Sequence, residues 1–336
     1  MPNYKVGIIG CGGIGRSHAE AYTAIPEVKI VAGAEINPEN AKRFAEQFRV
    51  ERMYTDYAEM LRTEKLDLVS VCTWPRTHCD ATVTAAERGV KGIMCEKPLA
   101  VNLEEANKMI EACDKMEVKL ATGHQHRFDP QVTKARALLE QGEIGQPVFF
   151  WGHCGLDLMN NGSHVVDLIN FLNGDEAAEW VLGQIDRRRK RFGAVNHPDM
   201  PVEDMAVGHI KYKNGLRATV ELGEFAPQAF QFHLVGTDGI IDINRPGGPA
   251  LQVLSNRQTG WLAPQLKPTN SCIAELKELI SAVEEDREHP SSGRRGRAAL
   301  EILIAIFESS RRRALIDFPV AVKDFPLDSM VKAGMV

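Results

Sequence analysis

The hydrophobic positions in the first third of the chain form short continuous runs, separated by longer segments with helical spacing. The apolar runs occupy residues 4–9, 28–34, 66–72, 90–94 and 118–122. Helix-start signals stand between them, such as Asn37-Pro38, and Asn102 with Glu105 three positions later. Continuous apolar strands that alternate with helices are typical of a parallel sheet covered on both faces. The pattern predicts a doubly wound α/β domain of the Rossmann type over residues 1–122.

The second part of the chain, residues 123–336, has a different order of elements. After predicted helices at about 130–141 and 160–172, β-type runs follow one another at 205–212, 217–222, 230–235 and 240–243. Strands that succeed one another without intervening helices indicate a largely antiparallel sheet. Two further helices, at about 271–287 and 294–313, are predicted to end the chain. The sequence therefore predicts a C-terminal α+β domain with a large, mostly antiparallel sheet.

The first strand ends in the pattern Gly10-x-Gly12-x-x-Gly15, and a helix follows directly. Gly10 permits a tight turn, Gly12 lets a pyrophosphate approach bare backbone, and Gly15 lets the helix pack closely on the strand. The amides at the start of the helix, around Gly13 and Ile14, are free to bind phosphate oxygens. In this strand–loop–helix context, the pattern predicts a dinucleotide-binding site.

Glu35 stands at the end of the second predicted strand, twenty positions after Gly15. A carboxylate at this distance accepts hydrogen bonds from the adenosine ribose hydroxyls and repels a 2′-phosphate. The residues that follow, Ile36 to Glu39, include no arginine to bind such a phosphate. The sequence therefore favours NAD over NADP as the cofactor.

Two later strand ends are predicted to reach the same edge of the sheet as the glycine loop. They carry Thr73-Trp74-Pro75, with His78 in the following helix, and Glu96-Lys97-Pro98. Ligands of open α/β sheets bind outside the carboxyl ends of the strands. We therefore include Thr73, Trp74, Pro75, His78, Glu96 and Lys97 among the candidate cofactor contacts. Beside an oxidised nicotinamide, desolvation and positive charge would lower the pKa of Lys97, which would suit a general acid/base.

These motifs and several later ones resemble one family of oxidoreductases. The matching segments are residues 6–15, Thr73-x-Pro75-x-x-His78, residues 95–100, Arg127-Phe128, and residues 142–145, 162–167 and 299–309. They extend over nearly the whole chain. The chain is similar to the Gfo/Idh/MocA family, which includes glucose–fructose oxidoreductase and inositol dehydrogenase. The resemblance implies an NAD-dependent enzyme that acts on a sugar, a polyol or a sugar derivative, and a homodimer or homotetramer joined through the outer face of the second sheet.

The resemblance also implies roles for four residues near the substrate. Lys97 corresponds to the active-site lysine of the family and His164 to its active-site histidine. Relatives commonly carry an aspartate four positions before this histidine, whereas this chain has Asn160. Asparagine can bind a substrate hydroxyl but cannot take its proton, so proton transfer falls on Lys97, with His164 orienting the substrate or sharing the transfer. Arg127 is interpreted as a substrate contact or as a structural residue.

Composition and charge exclude several other classes of protein. The 336 residues carry a net charge of −5, whereas nucleic-acid-binding proteins usually have a basic excess. No apolar run is long enough to cross a bilayer. Seven scattered cysteines, with no CxxC pair, argue against a disulfide framework and favour a reducing cytoplasm. His124-x-His126 would place two imidazoles on one face of a strand, but it lacks carboxylate or thiolate partners at suitable spacing, so no metal site is predicted.

The leading functional hypothesis is an NAD-dependent dehydrogenase of secondary alcohols in sugars or polyols. A second enzymatic hypothesis keeps NAD tightly bound and uses transient oxidation to assist elimination or glycoside cleavage. A third, non-enzymatic hypothesis is a dinucleotide-binding sensor that has lost turnover, and Asn160 keeps this alternative open. Lys97 and His164 together favour the dehydrogenase, because a sensor needs neither.

Overall fold

The computed structural model describes residues 4–189, 200–223, 226 and 229–336. The chain divides into two compact units. The first contains Met1–Gln125 and Asn270–Arg297, and the second contains His126–Thr269 and Ala298–Val336. The return of residues 270–297 to the first unit was not anticipated from the sequence, which placed them with the second domain.

The first unit contains a six-stranded parallel sheet flanked by helices. Its strands are β1 (Tyr4–Ile9), β2 (Val28–Ala34), β3 (Arg52–Tyr54), β4 (Leu68–Val71), β5 (Gly92–Cys95) and β6 (Lys119–Thr122). The helices between them are α1 (Gly13–Thr23), α2 (Pro38–Phe48), α3 (Tyr57–Thr63), α4 (Pro75–Glu87) and α5 (Leu103–Lys115). The strand order is β3-β2-β1-β4-β5-β6, which is the order of a dinucleotide-binding Rossmann sheet. The Rossmann prediction is confirmed.

The predicted helix starts in this unit rest on side-chain caps. The Asn37 side chain accepts hydrogen bonds from the backbone amides of Glu39 and Asn40 at the start of α2. Asn102 accepts from the Glu105 amide at 2.8 Å and donates to the Glu105 side chain at 3.1 Å. These bonds satisfy amides that have no partner inside the helix. Local sequence therefore determines where both helices begin.

The second unit is built on an eight-stranded mixed sheet. A 3₁₀ turn (Gln125–Phe128) precedes α6 (Pro130–Glu140), β7 (Pro147–Gly155) and α7 (Asn161–Leu172). The strands that follow are β8 (Ala178–Asp186), β9 (Met205–Tyr212), β10 (Arg217–Gly223), β11 (Gln231–Gly236), β12 (Gly239–Ile243) and β13 (Leu251–Ser255). Strands β7 and β10 pair in parallel, and the other pairs are antiparallel.

The chain ends with α8 (Ser271–Glu284), α9 (Gly293–Arg312), β14 (Ile316–Asp317) and α10 (Pro326–Lys332). Helix α8 packs into the core of the first unit through Leu276, Leu279 and Ile280. The prediction that two helices end the chain is wrong, because β14 extends the second sheet beside β8 and α10 follows it. Strands β8 and β13 were also missed.

Helices α7 and α9 cover one face of the second sheet. An added Cβ at Gly152 of β7 would lie 2.7 Å from a Val165 methyl carbon of α7. At Gly208 of β9, it would lie 2.5 Å from Ile306 of α9. Such contacts are too short for a side chain, so glycine lets the helices approach the strands. Within the described ranges, no helix combines the length and apolar character that crossing a membrane requires.

Candidate active site

The glycine loop has the shape that the sequence predicts for a dinucleotide-binding loop. Gly10 has a φ of +87°, a conformation that favours glycine. An added Cβ at Gly15 would lie 2.0 Å from the Gly10 carbonyl oxygen, whereas at Gly12 and Gly13 it would meet no described atom within 4 Å. Gly15 is thus required by packing. Gly12 and Gly13 leave open space, where a ligand can approach the backbone.

The N-terminus of α1 opens on that space. Within α1, the Arg16 amide bonds to the Gly12 carbonyl, and the amides before it point out of the helix end. Two large apolar side chains at the carboxyl ends of β1 and β4 remain exposed, Ile14 at 41% and Trp74 at 44%. Free amides beside exposed apolar surface suit a ligand that combines phosphates with flat rings. These residues therefore fit NAD.

Glu35 follows β2 and lies against the glycine loop. Its carboxylate accepts hydrogen bonds from the Cys11 amide at 2.8 Å and from the Asn37 amide at 2.8 Å. Each bond uses a different oxygen, and a carboxylate oxygen can accept more than one hydrogen bond. Glu35 is thus held beside the loop and retains acceptor capacity for ribose hydroxyls.

Residues after β4 are tied to the loop after β5 through His78. This imidazole is fully buried, and its nitrogens lie 3.0 Å from the Pro98 carbonyl and 3.0 Å from the Thr73 carbonyl. Burial lowers the pKa of His78, although its backbone hydrogen bonds oppose the shift. Both nitrogens face backbone oxygens, so His78 joins two loops of the sheet edge. The structure gives it this positioning role, and its contact with the cofactor stays a prediction.

Lys97 follows β5 at the same sheet edge and is half-buried. Its backbone amide donates to Glu96 Oε2 at 3.2 Å. The other oxygen of Glu96 lies 2.9 Å from His18 Nε2, and His18 Nδ1 lies 3.1 Å from Ser70 Oγ. Sequence reasoning missed His18 and Ser70. The available signal was a histidine on the buried side of the first helix, three positions after Gly15.

The residues around Asn160 form the start of α7 in the second unit. Asn160 occupies the N-cap position and is 2% exposed. Its backbone amide donates to Asp157 Oδ1 at 3.0 Å, and the backbone amide of Leu158 donates to Glu203. Burial and the charge of Asp157 raise the pKa of Glu203 well above the usual carboxyl range. The carboxyl groups of Asp157 and Glu203 therefore hold the segment that contains Asn160 through hydrogen bonds. Sequence reasoning did not identify Glu203.

His164 lies in the first turn of α7 and is 4% exposed. Its ring packs edge-on against His126, with centroids 4.7 Å apart, and against Phe230 at 5.4 Å. His126 Nδ1 lies 2.8 Å from Asp129 Oδ2. His126 belongs to the 3₁₀ turn, so the strand spacing assumed for His124-x-His126 is wrong. In the part of the chain that the structure describes, no group of three or more suitable side chains could hold a metal ion.

Arg127 binds two carboxylates in the second unit. Its guanidinium binds both oxygens of Asp167, each at 2.8 Å, and both oxygens of Asp175, at 2.8 and 3.2 Å. The Arg127 and Asp167 side chains are each 1% exposed. The geometry supports the structural interpretation of Arg127 and argues against a substrate contact. Asp167 is therefore the buried counter-ion of Arg127.

Comparison with known proteins adds independent evidence on the family. Residues 4–124 match the model of the Gfo/Idh/MocA oxidoreductase family with an NAD-binding Rossmann fold. Residues 151–321 match the C-terminal alpha/beta domain of the same family. The solved structure of levoglucosan dehydrogenase with NADH and levoglucosan superposes with a TM-score of 0.85 at 24% identity, over 94% of this chain and all of that one.

Two curated relatives match over most of their length. A myo-inositol 2-dehydrogenase from Thermotoga maritima is 34% identical over 88% of this chain and 93% of its own. A D-apiose dehydrogenase from Paraburkholderia graminis is 25% identical over 100% of this chain and 95% of its own. The glycine loop, the two domain matches and these relatives agree, and the chain belongs to the Gfo/Idh/MocA family of NAD-binding oxidoreductases.

Proposed function

We propose that the protein oxidises a secondary alcohol of a sugar or polyol, with NAD as the hydride acceptor and Lys97 as the general base. The observation that carries the proposal is the position of Lys97 two residues after β5 of the NAD-binding unit, where its backbone amide donates to the buried carboxylate of Glu96. The relatives named as inositol and apiose dehydrogenases support the substrate class. NAD supplies the hydride-accepting ring when it is bound.

The cofactor would be held by the carboxyl edge of the first sheet. Gly12, Gly13 and the first amides of α1 would receive the pyrophosphate, and Glu35 would bind the ribose hydroxyls. Trp74 and Ile14 offer exposed apolar surface to the rings. A carboxylate at position 35 disfavours the additional phosphate of NADP.

In its neutral amine form, Lys97 would accept the proton of the substrate hydroxyl. A base must be neutral to take this proton, so the reaction in this direction accelerates as the pH rises and the ammonium deprotonates. His164 would hold the hydroxyl in place or share its proton. Asn160 would donate a hydrogen bond to a neighbouring hydroxyl, since its amide cannot take a proton. General acid/base groups typically contribute factors of about 10² to 10⁴ in rate.

The proposal is tested by Lys97→Met and a matched control at the other end of the same strand. Lys91 precedes β5, is 56% exposed and pairs with Asp67 at 2.9 Å. We expect Lys97→Met to lower kcat by about 10²-fold or more, and Lys91→Met to leave it nearly unchanged. NADH formation would be followed by absorbance over a panel of inositols, aldoses and sugar acids at mildly alkaline pH.

NAD affinity is measured separately for both variants, through the fluorescence of bound NADH. If Lys97→Met loses turnover and cofactor binding together, Lys97 is a structural or phosphate-binding residue. If the wild-type protein binds NADH but oxidises no member of the panel, the dehydrogenase proposal fails and a sensor becomes the better hypothesis.

Exposed apolar side chains on one face of the second sheet support an oligomer. Alternation along the strands places Trp151, Leu182 and Met205 opposite the face that α7 and α9 cover, and Leu182 and Met205 are 47% and 46% exposed. Exposed apolar patches of this kind mark protein interfaces. We expect a homodimer or homotetramer by light scattering, and Leu182→Lys to shift it towards monomer.

The state of the cysteines is evidence on the cellular compartment of the protein. All seven are free thiols, and all but Cys272 are buried. Burial raises the pKa of Cys11 to about 12, so this thiol stays protonated and unreactive at neutral pH. Seven cysteines without a disulfide fit a reducing compartment, and we propose a cytoplasmic location.

A further inference from the structure

Three aromatic rings pack against one another beside the first turn of α7. The imidazoles of His126 and His164 have centroids 4.7 Å apart and planes inclined at 79°. The Phe230 ring lies 4.6 Å from the His126 ring, and 5.4 Å from the His164 ring at an angle of 75°. Aromatic pairs favour such edge-on contacts at centroid distances of about 4.5–7 Å. We call His126, His164 and Phe230 the ring cluster.

His164 is the most buried member of the ring cluster. It is 4% exposed, whereas the side chain of His126 is 25% exposed. Both neighbouring rings meet the His164 ring at nearly a right angle. Because protein interiors are closely packed, a flat ring enclosed in this way turns only if a neighbour moves. The plane of the His164 imidazole therefore depends on where the other two rings lie.

Each neighbouring ring is held from a different part of the second unit. His126 belongs to the 3₁₀ turn, and its Nδ1 is hydrogen-bonded to Asp129 Oδ2 at 2.8 Å. Phe230 immediately precedes β11, and its carbonyl oxygen accepts a hydrogen bond from the Asn244 side chain at 2.9 Å. The second bond holds only the backbone that carries the phenyl ring. The first bond holds the ring of His126 itself and so sets its orientation directly.

Asp129 uses its carboxylate in an unusual way. It occupies the N-cap position of α6, where an aspartate usually accepts hydrogen bonds from the first amides of the helix. Within the described chain, its side chain makes no such capping bond and binds His126 instead. Helix α6 thus begins without a stabilising side-chain cap, while the imidazole gains a partner that orients it. Residues that depart from a local structural rule are typical of functional sites.

We propose that His126, held by Asp129, is a positioning residue that fixes the plane of the His164 imidazole and thereby the direction of its nitrogen atoms towards the substrate hydroxyl. The inference rests on the proposed role of His164 in holding that hydroxyl. Active-site side chains depend on surrounding residues for their orientation. A displacement of about 1 Å can lower the rate by about 10²-fold, so a small rotation of His164 is sufficient to slow the reaction.

Two substitutions of Asp129 separate its hydrogen bond from its negative charge. An amide can accept or donate a hydrogen bond, so Asp129→Asn keeps a bond to His126 and removes the charge. Asp129→Ala removes both, and it takes no capping bond from α6. We expect kcat for alcohol oxidation to fall about 10-fold in Asp129→Ala and to stay within about threefold of the wild type in Asp129→Asn. NADH affinity, measured by fluorescence, should be unchanged in both variants.

His126→Leu removes the ring and should lower kcat by a similar factor. His233→Leu is the matched control, because His233 Nδ1 is also bonded to an aspartate of the second unit, Asp242 Oδ1 at 2.6 Å. His233 lies outside the ring cluster, so this variant should oxidise the alcohol at nearly the wild-type rate. Circular dichroism shows whether each variant folds, and Asp129→Ala serves as the test if His126→Leu does not fold.

The orientation of His164 can be followed without turnover. The full-length protein is labelled with ¹³C at the Cε1 atoms of its ten histidines and studied by nuclear magnetic resonance. The His164 signal is identified by its loss in His164→Asn. Ring currents shift this signal according to the relative orientation of the neighbouring rings. The signal should therefore move or split in Asp129→Ala and keep its position in Asp129→Asn and His233→Leu.

An unmoved His164 signal together with a wild-type kcat in Asp129→Ala would overturn the inference. Equal losses of kcat in Asp129→Asn and Asp129→Ala would also overturn it, because the charge of the carboxylate would then be responsible. A loss confined to His126→Leu would make His126 a substrate contact instead of a positioning residue. If the His164 signal responds as expected but the wild-type protein oxidises no alcohol, the control of His164 by His126 and Asp129 stands and the proposed function fails.

Discussion

Arg127 offers the sharpest test of how the second unit is stabilised. The guanidinium binds Asp167 and Asp175 with two hydrogen bonds each and lies over the Phe171 ring at 5.1 Å. Arg127→Met retains an unbranched apolar side chain but removes the charge. Asp167, with a side chain 1% exposed, would then remain buried without the countercharge of the guanidinium.

The expected loss of stability in Arg127→Met follows from the burial of Asp167. Removing one partner of a buried ion pair typically costs about 3–5 kcal/mol, because the remaining charge has lost its hydration. Asp175 contributes less of this cost, since its side chain is 23% exposed and can turn towards water. Whole domains are stable by about 5–15 kcal/mol. We therefore expect Arg127→Met to remove a large fraction of the stability of the second unit.

Urea denaturation followed by tryptophan fluorescence reports on this unit, because Trp151, Trp180 and Trp261 lie within it and only Trp74 lies outside. Arg188→Met is the matched control. Arg188 also pairs with an aspartate, Asp186 at 2.6 Å, but its side chain is 87% exposed. Exposed pairs contribute about 0–1 kcal/mol, so the control should unfold close to the wild type.

One outcome would refute the structural role of Arg127. If Arg127→Met unfolds at the same urea concentration as Arg188→Met, while its KM for the alcohol rises, the guanidinium contacts substrate and the buried ion pair contributes little. A further check is Arg127→Met combined with Asp167→Asn. Removing the buried negative charge should recover part of the lost stability.

Three further predictions concern the loops and pH. Gly15→Ala should lower the melting temperature of the first unit, because its Cβ would lie 2.0 Å from the Gly10 carbonyl oxygen. Gly12→Ala should melt at the wild-type temperature but bind NADH more weakly. Equal melting temperatures for the two variants would contradict this. Glu35→Ala should lower the NAD/NADP preference, measured as a ratio of kcat/KM values, and an unchanged ratio would remove Glu35 from the cofactor site. Because burial and the charge of Asp157 raise the pKa of Glu203, this carboxyl holds its proton more tightly in the folded protein than in the unfolded chain, so its contribution to stability should be fully present below the ordinary carboxyl pKa and be lost as the pH rises through the raised pKa. Urea midpoints across pH should show this fall and lose most of it in Glu203→Gln.

Local sequence was sufficient to predict the elements whose stabilising interactions lie within a few residues along the chain. The glycine loop, the Asn37 and Asn102 caps and the parallel strands of the first unit all follow from patterns shorter than about ten residues. Their physical causes are equally local: a positive φ at Gly10, side-chain oxygens that satisfy helix amides, and continuous apolar runs. The structure bears out each of these features.

The short strands at the edges of the second sheet were harder to predict. Strand β14 has two residues, too few to show a repeating pattern, and β13 has five. Such strands form because a neighbouring strand offers free backbone groups, as β8 does for β14. Their existence depends on tertiary pairing rather than on their own propensity.

The partners of polar groups near the site were decided only by the tertiary structure. Arg127 binds carboxylates 40 and 48 positions away, His18 binds a carboxylate 78 positions away, and Glu203 fastens a segment 45 positions earlier. Sequence alone marked Lys97, His164 and Asn160 through a family resemblance, but it could not show which side chains hold them. A buried polar group must find a partner, and which partner it finds depends on how distant segments fold together.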